Sequence, residues 1–114
     1  VKGKLHGIAL RVPVTDGSVT DLVTLLEKEV SVDEVKEAFK KAAEGKLKGI
    51  MEYTEDPIVS IDVIGNPHSV IIDGASITTL GERSDLIKVL GWYDNEWGYS
   101  NRLVDIILLI NRQL

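Results

Sequence analysis

The chain has 114 residues, and its 18 acidic side chains outnumber its 13 basic ones to give a net charge of −5. Hydrophobic residues make up 44% and charged residues 27%, a balance typical of globular proteins rather than of disordered chains. The acidic balance and the scattered Lys and Arg residues exclude a clustered basic face for nucleic acid. No cysteine is present, which excludes disulfides, thiolate metal sites and cysteine nucleophiles from any reaction of this chain alone.

The sequence also has neither an apolar run long enough to span a membrane nor the pattern of an export signal. The longest wholly apolar run, at 106–110, has five residues, whereas a membrane-spanning helix needs roughly 20. No basic segment followed by an apolar stretch opens the sequence, so we expect no secretory signal and a cytoplasmic location. The length fits a single domain over residues 1–114.

The first predicted element is a strand over residues 5–14. Its apolar side chains recur with the period of two that is typical of a half-buried strand: Ile8, Leu10, Val12 and Val14. Arg11 would point away from that apolar face. The small polar residues around Gly17 then predict a turn, and residues 19–28 predict a second strand that pairs with the first as a hairpin.

A helix is predicted next, over residues 32–44. Ser31 and Glu34 have the capping-box spacing, in which the serine hydroxyl and the glutamate carboxylate satisfy two backbone N–H groups. Apolar residues then recur every three or four positions, and Gly45 stands where a helix C-cap is expected.

Three further strands and a helix are predicted in the second half, at about 58–64, 70–80, 85–93 and from about residue 100 onward. The last helix is apolar around nearly its whole circumference, so we expect it to need packing partners on several sides. Strands joined by short turns favour antiparallel pairing. The predicted fold class is therefore α+β, a mostly antiparallel β-sheet with helices packed on one face.

The segment 92–101 is the most distinctive candidate site, because it holds four of the six aromatic residues of the chain beside Asn95. An asparagine amide both donates and accepts, which suits a heteroaromatic ring that carries an amide group. The alternative is that these aromatics cover the edge of the core. We interpret Asp94 and Glu96 as residues that cap the following helix or support the site without touching a ligand, rather than as catalytic acids.

Arg11 is a second candidate, since its guanidinium can bind a phosphate or carboxylate through two parallel hydrogen bonds. The alternative for Arg11 is a salt bridge to a neighbouring strand. We interpret His6 and His68 as structural or exposed residues and predict no metal site. No glycine-rich motif for phosphate binding is present, so a nucleotide bound here would need residues from elsewhere.

Five separated motifs of this chain resemble glyceraldehyde-3-phosphate dehydrogenase, in order and over essentially its whole length. They are A-L-R-V-P at 9–13, E-G-K-L-K-G-I at 44–50, Y-T-E-D at 53–56, G-N-P-H-S at 65–69 and W-Y-D-N-E-W-G-Y-S-N at 92–101. The resemblance is to the C-terminal part of the catalytic domain. It implies an NAD-dependent oxidation of glyceraldehyde 3-phosphate to an acyl phosphate, in glycolysis or gluconeogenesis.

The resemblance also implies residue roles. Arg11 resembles the family's arginine for a phosphate group of the substrate or for the attacking inorganic phosphate, Asn95 its ligand of the nicotinamide carboxamide, and Tyr99 its aromatic beside the nicotinamide. The family's NAD-binding Rossmann domain and its catalytic cysteine have no counterpart in this sequence. We therefore expect no catalytic residue in this chain, no activity and no tight binding of NAD or NADP by this chain alone, and a homotetramer for the intact enzyme.

Two alternatives remain open on the sequence alone. One is a stand-alone, catalytically inactive structural or interaction module that has kept the fold. The other is a sister dehydrogenase that acts on erythrose 4-phosphate. Neither reading involves nucleic acid or a membrane as a partner.

Overall fold

A computed structural model describes residues 2–112, which form five strands, two α-helices and two short 3-10 helices. The strands are β1 (Ser18–Val30), β2 (Met51–Thr54), β3 (Val70–Asp73), β4 (Thr78–Thr79) and β5 (Ser84–Tyr93). The helices are α1 (Val32–Glu44) and α2 (Trp97–Asn111), and the 3-10 helices are Ser60–Val63 and Gly74–Ser76.

The strands form one sheet in the order β1-β5-β3-β2, with β4 also beside β5. β1 and β5 pair antiparallel over almost their full length, from Ser18 opposite Tyr93 to Leu25 opposite Leu86. The contacts of β5 with β3 and β4 are antiparallel as well, whereas β2 and β3 run parallel. The predicted α+β class with a mostly antiparallel sheet is thus confirmed.

The buried core lies where α1 packs on the sheet. It is built from aliphatic side chains of both layers: Val30, Val35, Ile72, Ile77, Ile87 and Val89. Val89 of β5 belongs to this core, whereas Leu22, its partner in the β1–β5 register, is 46% exposed. Burial of such side chains is the main source of stability for the domain.

The helix α1 confirms the prediction made from its caps. Ser31 Oγ accepts a hydrogen bond from the backbone N–H of Glu34 at 3.2 Å, and Glu34 Oε2 accepts one from the N–H of Ser31 at 2.7 Å. Gly45 is the C-cap, and its N–H donates to the carbonyl oxygen of Lys41. Because these bonds are local, the sequence alone was enough to predict both ends of the helix.

The predicted strand at residues 5–14 is wrong. This segment has no regular structure, and within residues 2–112 no strand pairs with it. The side chains of Leu5, Ile8 and Leu10 are 78%, 82% and 81% exposed, so the alternating pattern has no core face to cover. The predicted hairpin is wrong for the same reason, since the partner of β1 is β5.

The predicted strand at 58–64 is also wrong, because the 3-10 helix Ser60–Val63 replaces it. The carboxylate of Asp62 accepts a hydrogen bond from the backbone N–H of Val59 at 2.8 Å, which closes a turn in place of an extended chain. Val63 is fully buried, whereas Ile61 is 67% exposed.

The remaining differences concern the second half of the chain. The predicted strand at 70–80 is interrupted by the 3-10 helix Gly74–Ser76, where the carboxylate of Asp73 accepts hydrogen bonds from the N–H and the hydroxyl of Ser76. β2 was not predicted, and α2 begins three residues earlier than expected, at Trp97. Among residues 2–112, neither helix has the length and apolar character that a membrane span requires.

Substitution of Ser31 tests the contribution of the capping box. The Ser31→Ala variant removes the acceptor for the N–H of Glu34, so we expect the free energy of unfolding to fall by about 1 kcal/mol. Urea unfolding followed by circular dichroism measures this difference. Ser100→Ala is the control, since that hydroxyl only donates to the carbonyl oxygen of Glu96 within α2. Equal effects of the two substitutions would contradict the capping account.

Candidate functional site

The segment 92–101 forms a corner between the end of β5 and the start of α2. Residues 94–96 make the turn, and the last residue of β5, Tyr93, lies opposite Ser18 of β1. The corner is therefore joined to the sheet on one side and to the helix on the other. Both candidate cofactor residues, Asn95 and Tyr99, belong to it.

Asp94 holds this corner together. It is only 3% exposed, and its carboxylate accepts hydrogen bonds from the backbone N–H groups of Trp97 at 2.7 Å, Gly65 at 2.7 Å and Glu96 at 2.9 Å. The hydrogen bond from the N–H of Trp97, followed by those from Gly65 and Glu96, holds the pKa of Asp94 below its ordinary value. Asp94 thus caps the start of α2, as the sequence predicted, whereas the predicted capping by Glu96 is wrong because its side chain makes no capping hydrogen bond.

Asn95 lies next to this buried carboxylate but is itself exposed. Its Oδ1 atom accepts a hydrogen bond from the hydroxyl of Ser18 at 3.0 Å. The turn before Ser18 needs a glycine, because Gly17 has a φ of 87° and a Cβ there would lie 2.7 Å from the carbonyl oxygen of Ser60. The side chain of Asn95 is therefore oriented by β1, while its amide group remains open to a ligand.

Tyr99 lies four positions after Asn95, one helical turn further along. Its side chain is 67% exposed, and that of Trp97 is 51% exposed. Trp92, by contrast, is partly buried, and its Nε1 atom is 3.5 Å from the carboxylate of Asp73. The aromatic segment thus divides into members that contact the core and members that face outward.

Arg11 does not belong to this corner. It lies in the exposed irregular segment, and no hydrogen bond or ion pair among residues 2–112 connects it to Asn95 or Tyr99. The salt bridge to a neighbouring strand is not seen either, since the ion pairs of the described residues involve other arginines. Asn95 and Tyr99 thus both belong to the corner, whereas Arg11 lies in the exposed segment before β1.

Two features near the corner were not predicted from the sequence. The side chains of Glu52, Asn66 and His68 form a hydrogen-bonded group, in which His68 Nδ1 lies 2.8 Å from Asn66 Oδ1 and 3.0 Å from Glu52 Oε2. Arg102 donates from Nη1 to the carbonyl oxygen of Gly49 at 3.1 Å. The sequence signal for Arg102 is its spacing of four residues from Gly98, which places the two residues on one side of α2.

The predicted structural role of His68 agrees with these contacts, and His6 is exposed in the irregular segment. No cluster of three or more His, Asp or Glu side chains within residues 2–112 has the arrangement of a metal site.

A further charged cluster joins α1 to β2. Glu55 accepts hydrogen bonds from Lys40 and Tyr53, both at 2.8 Å, and these bonds with the charge of Lys36 lower the pKa of Glu55 to about 2. Burial, together with the hydrogen bond to Glu55, raises the pKa of Tyr53 to about 12. Both groups keep one protonation state across the physiological range, so this cluster has the properties of a structural link rather than of an acid–base pair.

The pH dependence of stability tests the capping role of Asp94. Because its pKa lies below the ordinary value of 3.8, the unfolded chain binds more protons than the native state between the two values. The stabilisation is therefore present above about pH 4 and is lost as the pH falls through the native pKa. We expect Asp94→Asn to lower the free energy of unfolding by about 1–3 kcal/mol at neutral pH, and this difference to shrink in acid.

Urea unfolding of the wild type and the variant over a series of pH values gives this difference. Asp85→Asn, at an exposed position of β5, is the matched control and should change stability little at any pH. A difference between wild type and Asp94→Asn that stays constant down to the lowest pH would show that the ionised carboxylate is not what stabilises the corner.

Comparison with known proteins supports the resemblance seen in the motifs. A family model described as "Glyceraldehyde 3-phosphate dehydrogenase, C-terminal domain" matches residues 1–95. Glyceraldehyde-3-phosphate dehydrogenase of Streptomyces coelicolor is 58% identical over 115 residues, which cover 100% of this chain and 34% of that protein. Glyceraldehyde-3-phosphate dehydrogenase 2 of Streptomyces avermitilis is 56% identical and the enzyme of Mycobacterium tuberculosis 54% identical, each over 100% of this chain and 33% of its own length.

The chain thus spans about a third of the length of the curated relatives that it matches. The family model ends at Asn95, whereas the relatives also align with the part that contains Tyr99 and the rest of α2. The chain belongs to the glyceraldehyde 3-phosphate dehydrogenase family and corresponds to its C-terminal domain.

Proposed function

We propose that this chain is the C-terminal portion of the catalytic domain of an NAD-dependent, phosphorylating glyceraldehyde-3-phosphate dehydrogenase. Its contribution is to bind the nicotinamide and a phosphate group. The observation that carries the proposal is the exposed amide of Asn95, which the hydroxyl of Ser18 orients at the corner before α2. The names of the relatives, at 54–58% identity, supply the enzyme class.

The nicotinamide site would include Asn95 and Tyr99. A carboxamide presents one acceptor and two donors, and a second amide is complementary to it. Because Asn95 Oδ1 already accepts from Ser18 at 3.0 Å, its Nδ2 group would be the one to donate to the carbonyl oxygen of the carboxamide. The exposed ring of Tyr99, one helical turn on, would cover an edge of the heteroaromatic ring. When bound, NAD accepts the hydride that leaves the substrate carbon.

Arg11 would bind the phosphate of the substrate or the inorganic phosphate. Guanidinium presents a planar pair of N–H donors that matches two phosphate oxygens. In the structure Arg11 is exposed and not held by any ion pair of residues 2–112, so its charge is available to such a ligand. Its position relative to Asn95 would be set by contacts with the rest of the enzyme.

The chemical step itself needs groups that this sequence does not contain. The oxidation proposed for the family begins with attack of a thiolate on the aldehyde, and this chain has no cysteine. A Rossmann domain would bind the dinucleotide phosphates, since no glycine-rich fingerprint occurs here. We therefore propose that this chain alone is inactive and that the active species is a cytoplasmic homotetramer of the complete enzyme, using NAD or NADP.

Substitution of Asn95 tests the nicotinamide contact. In the complete enzyme, Asn95→Ala removes one hydrogen bond to the carboxamide, so we expect the KM for NAD to rise about tenfold. The KM for inorganic phosphate should not change. Steady-state kinetics of NAD reduction with glyceraldehyde 3-phosphate measure both constants.

Asn111→Ala is the matched control for that experiment. It lies at the exposed end of α2, about 20 Å along the helix axis from Trp97. This variant should retain the wild-type KM for NAD. An unchanged KM in Asn95→Ala would remove Asn95 from the site, and no reduction of NAD by the wild-type enzyme would overturn the proposed function.

Substitution of Arg11 gives the complementary result. Arg11→Ala should raise the KM for phosphate or for the phosphorylated aldehyde by about tenfold or more, since a charged hydrogen-bond pair is lost. The KM for NAD should stay near the wild-type value. Lys4→Ala removes an equal charge from the same exposed segment and serves as the control. Equal effects of Arg11→Ala and Lys4→Ala would mean that only net charge matters.

A further inference from the structure

Besides the bond from Ser18 to Asn95, the corner and the start of α2 contact the rest of the domain at positions 94, 98 and 102. Residues spaced by four lie on one face of a helix. Asp94 is joined to that row because its carbonyl oxygen accepts the N–H of Gly98 at 3.1 Å. The row therefore works as a single attachment face, which we call the anchor face.

The anchor face rests on the loop at residues 65–69 and on the turn at Gly49. Asp94 accepts the N–H of Gly65, and Gly98 packs so closely that an added Cβ would lie 2.7 Å from the carbonyl oxygen of His68. Arg102 reaches furthest along the helix, donating from Nη1 to the carbonyl oxygen of Gly49 at 3.1 Å and lying 3.5 Å from the hydroxyl of Ser69.

Neighbouring groups hold the guanidinium of Arg102 in this contact. Its side chain is 22% exposed, and its Nη2 atom pairs with Asp105 one turn further along the helix at 2.8 Å. That pair orients the guanidinium from within α2, while Nη1 points at the backbone of the turn. Nε is buried and has no hydrogen-bond partner within residues 2–112, so the guanidinium is held by its two terminal nitrogens.

Beyond Arg102 the helix has little other support among the described residues. The apolar side chains from Leu103 to Ile110 are between 44% and 65% exposed. The direction of the first two turns of α2 therefore depends on the anchor face. Asn95 precedes α2 by two residues and Tyr99 lies in its first turn, each one position after Asp94 and Gly98, so a rotation of the anchor face would move both.

We propose that Arg102 is a positioning residue for the nicotinamide: it fixes the first turns of α2 so that Asn95 and Tyr99 meet the ring at the correct angle. This inference rests on the proposed function of the corner. Arg102 itself does not touch the cofactor. Displacements of about 1 Å at such a site are enough to change rates by large factors.

The test is a double-mutant cycle in the complete enzyme, with the KM for NAD and for phosphate measured in each variant, and with the dissociation constant of NAD measured without substrate by tryptophan fluorescence, which should change in parallel with the KM for NAD. Arg102→Ala should raise the KM for NAD about tenfold and leave the KM for phosphate unchanged. Arg102→Lys, which keeps one donor to Gly49, should recover part of the loss. Arg112→Ala, an equal loss of charge at the exposed end of α2, should have no effect.

In the Asn95→Ala background, Arg102→Ala should raise the KM for NAD by a clearly smaller factor, because the main group that it positions is already absent. The same factor in both backgrounds would overturn the inference, and so would a parallel rise in the KM for phosphate. If Arg102→Ala does not fold, Arg102→Lys is judged by the same criteria. An Asn95→Ala variant with a wild-type KM for NAD would instead refute the proposed function on which the inference rests.

Discussion

The buried carboxylate of Asp94 is the interaction on which the candidate site depends. It accepts three backbone N–H groups, two from the start of α2 and one from Gly65, which is 29 residues away in the sequence. A single side chain therefore joins the end of β5, the first turn of α2 and a separate loop. Removing a buried acceptor of this kind leaves several donors without partners, which costs more than the bonds themselves contribute on average.

Asn95 derives its position from that arrangement. Asp94 fixes the backbone of the corner, and the hydroxyl of Ser18 fixes the amide at 3.0 Å. Asn95 thus combines an exposed side chain with a fixed orientation, which lowers the entropic cost of binding a planar ligand. Gly98 and Arg102 attach the first turns of α2 to the rest of the domain, at His68 and at Gly49.

The exposed apolar surface is the other notable property of the domain. The irregular segment at 5–14 exposes Leu5, Ile8 and Leu10, and α2 exposes most of its aliphatic side chains. Patches of this kind usually mark surfaces that contact another domain or subunit. Since the chain spans about a third of the length of its relatives, such contacts agree with the proposal that the corner is one wall of a site completed by other parts of a larger enzyme.

Local patterns predicted the parts of the fold that local bonds determine. The capping box of Ser31 and Glu34 predicted the start of α1 and Gly45 predicted its end, because each of these hydrogen bonds lies within four residues. The strand at 5–14 failed, since alternation shows only that a strand would be amphipathic and not that a partner strand exists. The strand at 58–64 failed because the side chain of Asp62 favours a local turn over β-branched propensity.

In the candidate site, too, local features could be predicted from the sequence and long-range contacts could not. Asn95 and Tyr99 were proposed from a specific motif, and the place of Asp94 at the end of a predicted strand indicated its capping role. The bond from Asp94 to Gly65 and the bond from Arg102 to Gly49, which are separated by 29 and 53 residues, could not be predicted. Such contacts depend on how distant elements pack, which composition and periodicity do not encode.

A crystal structure of the complete enzyme with NAD bound would show whether the nicotinamide lies at the corner before α2. We expect Asn95 Nδ2 to lie within about 3 Å of the carbonyl oxygen of the nicotinamide carboxamide, with Ser18 still bonded to Oδ1 and the ring of Tyr99 beside the nicotinamide. A nicotinamide bound elsewhere, with Asn95 in contact only with Ser18 and solvent, would contradict it.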